Sequence, residues 1–334
     1  MPKDNENIPF LGPVEPSEPV GFSAEQMIRC EECLRANPPT RVTCLYCVAP
    51  LPLTETAARL RKPVLHPPEK HQLGYNNILL PQDQAISTEV VNEAAALLKL
   101  TPENLQQILS QGIPLPVART ASREEAELVF LRLRDLGLQC LTLSDDDDLG
   151  LSNSSVKRVR SMSLEDVSVT MQDIEFSWAD IDLILPARLF ETRFEIKERM
   201  TRKPEKDILD TNEFFRDEAV IDFYIAKHSS TWRVSANGFD FSCLGKEKSL
   251  VANENIGKLQ RLIVGKASKA QVDESYNRVR NLLELVWTTR PETQSSGWRR
   301  ERPGKLSVGI ATTKSNEVQF TRYSRLRYYL SAIS

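Results

Sequence analysis

Histidine is scarce in this chain, with three residues among 334, and glycine is sparse at 13. So few imidazoles exclude a histidine-rich metal cluster, and His66, His71 and His228 carry no local signature of a serine–histidine or cysteine–histidine pair. His66 and His71 fall in or beside a proline-rich stretch, where solvated rings are expected, and His228 falls in an expected hairpin turn. The sequence has no Gly-x-Ser-x-Gly elbow, no His-Glu-x-x-His and no Gly-x-x-x-x-Gly-Lys. No catalytic residue is assigned, and the chain is expected not to be an enzyme. No apolar run approaches the roughly 18 residues of a membrane-spanning helix. Met1 to Val20 is polar and proline-rich, without the apolar centre of a signal peptide. The net charge is only -3, which excludes a global field attracting polyanions or anionic membranes. These absences together predict a cytoplasmic protein with no transmembrane segment and no peripheral membrane contact.

What is present is modular. Apolar residues make up 40% and charged residues 27%, as in an ordinary globular protein, and 20 prolines outnumber the glycines. At this length two or three domains are expected. The charge pattern, proline clusters and apolar periodicity predict a disordered tail over 1–22, a cysteine module over 23–53 and a proline-rich linker over 54–76. An α/β domain over 77–144, an acidic and serine-rich linker over 145–172, a β domain with helices over 173–287 and a basic segment with a terminal helix over 288–334 follow. The expected class is therefore α+β multidomain: a small zinc ribbon, a β-α-α-β-α-β sandwich, and an antiparallel sheet or barrel closed by C-terminal helices.

Four of the six cysteines sit at Cys30-x-x-Cys33 and Cys44-x-x-Cys47. Each pair turns two thiolates toward one point from a tight loop, and two such loops complete a tetrahedral shell with no open position. That geometry serves structure and leaves no place for a substrate. Residues 23–53 are too few for a sufficient apolar core, and metal binding supplies on the order of 10–16 kcal/mol in zinc-finger peptides. The arrangement resembles the zinc ribbon family. The resemblance implies one structural zinc on Cys30, Cys33, Cys44 and Cys47. The family often places glycine after the second cysteine of each pair, where this chain has Leu34 and Val48. Cys140 and Cys243 lie among apolar neighbours and are expected as buried small hydrophobes.

Between Asn77 and Leu143 the signals are sharp. Ile78-Leu79-Leu80 predicts a strand, and Val91, Ala94, Ala95 and Leu98 share one face of a helix. Thr101-Pro102 opens a second helix ending at Gly112, and a strand follows over Ile113 to Arg119. Ser122 and Glu125 form a capping-box pattern for a third helix that ends at Gly137, before a last strand over Leu138 to Leu143. This order, with IPLPVARTASREEAELVFLRLRDLGLQCLTL, resembles the C-terminal domain of the bacterial ribosomal stalk protein. That family contacts translation factors through lysines on its first two helices, whereas Lys99 is the only lysine between Glu89 and Gln111 here.

Asp145 to Asp148 reads as solvated charge within a linker. Farther on, Ile181, Leu183 and Leu185 share a strand face, as do Ile221, Phe223 and Ile225, and then Phe239, Phe241 and Cys243. Asn237-Gly238 favours a tight hairpin turn. Helices are expected with Ile256, Leu259, Leu262 and Ile263 inward, then over Ala270 to Leu285. Asp180-x-Asp182 is expected on the outward face of a strand. Strands closed by a helix, beginning at Phe-Ser-Trp-Ala-Asp-Ile, resemble the bacterial pleckstrin-homology or GRAM-like barrel, an interaction platform. Arg199, Arg202, Lys203 and Lys206 are the nearest approach to a phosphoinositide-binding loop.

From Arg290 to Ser334 nine basic residues face three acidic ones. On a helix, Phe320, Tyr323, Leu326 and Leu330 share a face, so docking is expected, with the arginines solvated or paired with acids. The leading expectation is a non-catalytic, zinc-binding adaptor or regulatory scaffold with an unidentified protein partner. The alternative is a nucleic-acid-associated protein, with Arg299, Arg300, Arg302, Arg322, Arg325 and Arg327 as candidate contacts.

Overall fold

The computed structural model describes residues 21–52, 54, 64–69, 72–152, 156–200, 206–226, 228, 230–297, 299–302 and 305–333. Side chains of 198–200, 206–210, 299–302 and 305–307 are not among those described. The expected tail (1–22) lies almost wholly outside the described residues, as do much of the 54–76 segment and His71. The chain divides into two compact units, Met1–Lys62 and Pro63–Ser334.

The first unit holds two short antiparallel strands, β1 (Ile28–Arg29) and β2 (Ala36–Asn37). Its core is Ile28, Cys30, Cys44 and Leu51, with Cys33 and Ala49 partly buried against it.

The second unit is mixed α/β. It begins with β3 (Tyr75–Leu79), α1 (Thr88–Leu98), α2 (Pro102–Ser110), β4 (Leu115–Thr120), α3 (Arg123–Asp135) and β5 (Cys140–Ser144). The three strands form an antiparallel sheet with β3 central. Local chemistry fixes the helix starts: Ser87, Thr101 and Ser122 accept hydrogen bonds from the amides of Val90, Asn104 and Glu125. The expected capping box at Ser122 is only half made. Glu125 turns away from it and accepts from the amides of Val64 and His66, both at 3.0 Å. Residues 64–66, expected as linker, are thereby fastened to α3. The exposed His66 ring also pairs with this carboxylate at 3.2 Å.

Residues 145–172, also expected as linker, carry β6 (Val156–Val159), β7 (Met162–Leu164) and β8 (Ser168–Met171). With β9 (Ile174–Ser177), β7 and β8 make a three-stranded meander. Val159 of β6 and Met162, Val169 and Met171 of the meander are buried in one apolar cluster, and their apolar gain outweighs the local charge and serine content. The acidic run is not free either, because Asp145 is fully buried and Asp148 accepts from the Ser144 amide at 2.7 Å.

Two 20-residue strands, β10 (Ile181–Met200) and β11 (Lys206–Ile225), pair antiparallel through most of their length. Then come β12 (Thr231–Ser235), α4 (Ala252–Lys266), β13 (Gln271–Val272) and α5 (Tyr276–Leu283). The chain continues through β14 (Glu292–Ser295), β15 (Arg299–Arg302), β16 (Lys305–Ser315) and α6 (Glu317–Ile333). The eight-stranded sheet runs β14-β16-β10-β11-β12-β6, with β13 along β10 and β15 along β16.

The shared strand face expected for Ile181, Leu183 and Leu185 does not occur. A bulge between Ile181 and Leu183 shifts the register, so Ile181 enters one apolar cluster and Leu183 and Leu185 the other. The sheet is buried on both faces here. Ile184, Ile221, Phe223 and Ile225 pack on the α4 side, while Val220 and Tyr224 join the opposite cluster. That second cluster also contains Ile78, Leu105, Leu115, Val129 and Leu133, together with Tyr276, Val279, Trp287, Phe320, Tyr323 and Leu326. Residues 77–144, the large sheet and the terminal helix therefore share one core.

Two further local expectations differ. Phe241–Glu247 is a 3-10 helix where a strand was expected, its start capped by Asp240. The second helix begins at Tyr276 because Gln271 and Val272 are drawn into parallel pairing with Leu183 and Ile184.

Candidate metal centre

In the first unit, the amides of Leu34 and Val48 reach back to the carbonyls of Cys30 and Cys44, at 2.9 and 3.1 Å. The amides of Cys30 and Cys44 in turn bond the carbonyls of Arg35 and Ala49. These loops bring the four sulfur atoms within 4.8 Å of one another, and Cys30–Cys47 and Cys33–Cys44 approach to 3.5 Å. A tetrahedral zinc with Zn–S bonds of about 2.3 Å needs sulfur separations of about 3.8 Å, so the cluster fits a metal ion of that size. A disulfide would need sulfurs about 2.05 Å apart, and all four cysteines are free.

The positions that the ribbon family often fills with glycine do need its backbone freedom. Leu34 and Val48 have φ of 57° and 63°, in the left-handed region. For β-branched Val48 this strain costs on the order of 1–3 kcal/mol, sustained by the cluster it helps to close.

Asn37 is the residue that the cysteine spacing alone does not disclose. It is fully buried, and its Oδ1 accepts from the Leu45 amide at 2.8 Å. Its Nδ2 donates to the Arg35 carbonyl at 2.9 Å and to Cys44 Sγ at 3.5 Å. One side chain thus ties the first knuckle to the second. Its only sequence signal is an asparagine between the cysteine pairs, which also fits an ordinary turn. Burial raises the Cys44 thiol, but amide donors from Cys47 and Tyr46, with Cys33 and Asn37, bring it down to about 6. At Cys47 the Ala49 amide favours the thiolate, yet burial and the three neighbouring sulfurs push the group up to about 12. The Cys44 thiolate is thus favoured while Cys33 and Cys47 resist, which is the electrostatic situation a divalent cation relieves.

The other candidate residues are not gathered into a site. Cys140 is buried, its thiol pushed up to about 11 by desolvation, and burial also raises Cys243. Asp180 closes a short 3-10 turn by accepting from the Ser177 amide, and Asp182 is exposed at the strand bulge, so the two form no metal pair. The side chains of Arg199, Arg202, Lys203 and Lys206, like those of Arg299, Arg300 and Arg302, lie outside the described residues.

Arg322, Arg325 and Arg327, considered above as nucleic-acid contacts, are largely buried against the second unit's own acids and aromatic rings. Arg322 Nε lies 3.9 Å from Asp145, Arg327 is ion-paired with Asp273, and Arg325 lies 5.5 Å from the Tyr224 ring centre. Between them, Ser324 donates to Asp222 at 2.9 Å. Asp222 holds Arg233 through two bonds of 2.6 and 2.8 Å, and both side chains are at most 1% exposed. Arg233 also reaches Glu317 and Thr321, both at 3.2 Å. Burial opposes its charge, and the Asp222 and Glu317 carboxylates raise it further above the ordinary guanidinium range. α6 is thus joined to the sheet by charge as well as by apolar packing.

Among the described residues, no helix is long and apolar enough to cross a membrane. The resemblances to the ribosomal stalk domain and to the pleckstrin-homology or GRAM-like barrel gain no support from comparison with known proteins. No family model, no curated protein and no solved structure matches this chain.

Proposed function

We propose that Cys30, Cys33, Cys44 and Cys47 hold one structural zinc, and that the chain is a non-catalytic adaptor whose ribbon docks on a protein partner. The observation that carries this reading is the ribbon's inverted surface. Its four cysteines converge, while Leu34, Leu45, Tyr46 and Val48, at or beside the ligands, are 51–73% exposed. An all-cysteine shell has no open position for a substrate, so its service is to hold the loops that display these side chains. Burial on a partner gains about 1.5–3 kcal/mol for each large apolar side chain, enough for a small interface to be specific.

The test keeps the cysteines and changes the surface. Leu45→Asp and Tyr46→Ser together should leave one zinc per chain by elemental analysis and abolish the partner captured by the wild-type protein. Retained zinc with an unchanged set of captured proteins would exclude the docking role, and absence of stoichiometric zinc would exclude the metal.

A further inference from the structure

A cleft of about 630 Å³ opens in the second unit between β4, the segment after α5, and α6. Its lining includes Leu100, Val117, Trp287, Ser315, Arg119 and Arg322. Such a volume suits a small organic molecule, and a mixed apolar and polar lining is usual for such sites.

One guanidinium inside it lacks hydrogen-bond acceptors. A guanidinium offers five N–H donors. Arg322 is only 16% exposed, yet its one polar contact among the described residues is the 3.9 Å approach of Nε to Asp145 Oδ1, too long for a hydrogen bond. The Nε itself is buried without a hydrogen-bond partner. Asp145 is occupied elsewhere. It accepts from the Gly74 amide at 2.9 Å, from Asn76 Nδ2 at 2.9 Å and from Arg119 Nε at 3.1 Å, with Arg119 Nη2 closing a second bond. Two guanidinium groups thus share one carboxylate, and the hydrogen bonds of that carboxylate go to Arg119. Burial and repulsion from Arg119 hold Arg322 down to about 10, with Asp145 acting in the opposite direction.

Nearby groups do not supply the missing acceptor. Glu317 is engaged by Arg158 and Arg233, and the Gln319 amide donates to Glu284 and to the Trp287 carbonyl. Among the described residues, none of the acids lining the cleft forms an ion pair with Arg322. Buried guanidinium groups in native proteins are normally satisfied, because leaving one unpaired is costly.

We propose that this cleft binds a small organic anion, its carboxylate or phosphate seated on Arg322 and its apolar body against Leu100, Val117 and Trp287. An oxyanion supplies the missing acceptors, and a guanidinium takes either group through parallel hydrogen bonds.

Benzoate and phenyl phosphate serve as probes, titrated into the full-length protein by calorimetry with chloride balancing the ionic strength. The expected result is saturable one-site binding of at least one probe, weakened roughly tenfold or more in Arg322→Gln. Binding of benzoate alone assigns a carboxylate ligand, and binding of phenyl phosphate alone assigns a phosphoryl ligand. Should Arg322→Gln fail to fold by circular dichroism, Val318→Glu decides. Val318 lines the cleft, is 62% exposed, and in this variant places a competing carboxylate there. It should weaken binding by a similar factor. No binding of either probe up to about 10 mM, or variant affinities equal to wild type, would overturn the proposal.

Discussion

The ribbon and the terminal helix α6 resolve the same problem, ordering a short segment rich in polar groups, by opposite means. The ribbon has four buried apolar or sulfur-bearing residues at its centre and leaves its larger hydrophobes outside. Helix α6 buries Phe320, Tyr323 and Leu326 completely, and carries its arginines inward to acids from distant parts of the chain. The contrast shows that charge alone does not mark a surface. In the first unit converging sulfurs stand where a core would be, whereas in the second unit ion pairs are built into a core already sufficient in apolar mass.

The largest effect should come from Cys44→Ser. It removes a ligand from the closed shell and with it on the order of 10 kcal/mol of metal-dependent ordering. Elemental analysis should find zinc lost, while the main thermal transition, belonging to the second unit, stays in place. A shift of that main transition would break the contrast by showing that the ribbon supports the rest of the fold.

Next comes Arg233→Met, which leaves Asp222 buried and unpaired. A loss of about 3–5 kcal/mol in urea unfolding is expected, and the double variant Arg233→Met with Asp222→Leu should recover most of it. Recovery would establish that packing, with charge matched or absent, is what this core requires. Asn37→Ala should cost the ribbon about 1–3 kcal/mol, through the Leu45 amide and Arg35 carbonyl left without their partner. Competitive chelator titration would read this as weaker zinc retention. The smallest effect has the opposite sign: Val48→Gly relieves a left-handed backbone and should tighten zinc by about 1 kcal/mol, roughly fivefold.

What could be read from the sequence was local. The caps at Thr101 and Ser122 each bond an amide three residues on, and the order of elements from Tyr75 to Ser144 follows the apolar periodicity. The cysteine pairs were legible for the same reason, since each knuckle closes within four residues. What escaped was long-range pairing. Asp145 looked solvated within its acidic run because its partners Gly74 and Asn76 lie 71 and 69 residues away. Ser324 and Asp222 are separated by 102 residues, and Trp287 and Asn76 by 211. No local pattern announces such partners, so segments expected as linkers proved to contribute to the second unit's apolar clusters. The bulge at Asp182 misled on an even shorter scale, because one inserted residue exchanges the two faces of a strand.

The most direct test is to remove metal from the whole protein with a strong chelator and follow backbone amide exchange along the chain. The account predicts that residues 28–51 lose protection on metal removal and regain it when zinc is restored, while β10, β11 and α6 keep theirs throughout. Unchanged protection of the cysteine loops in metal-free protein would contradict it.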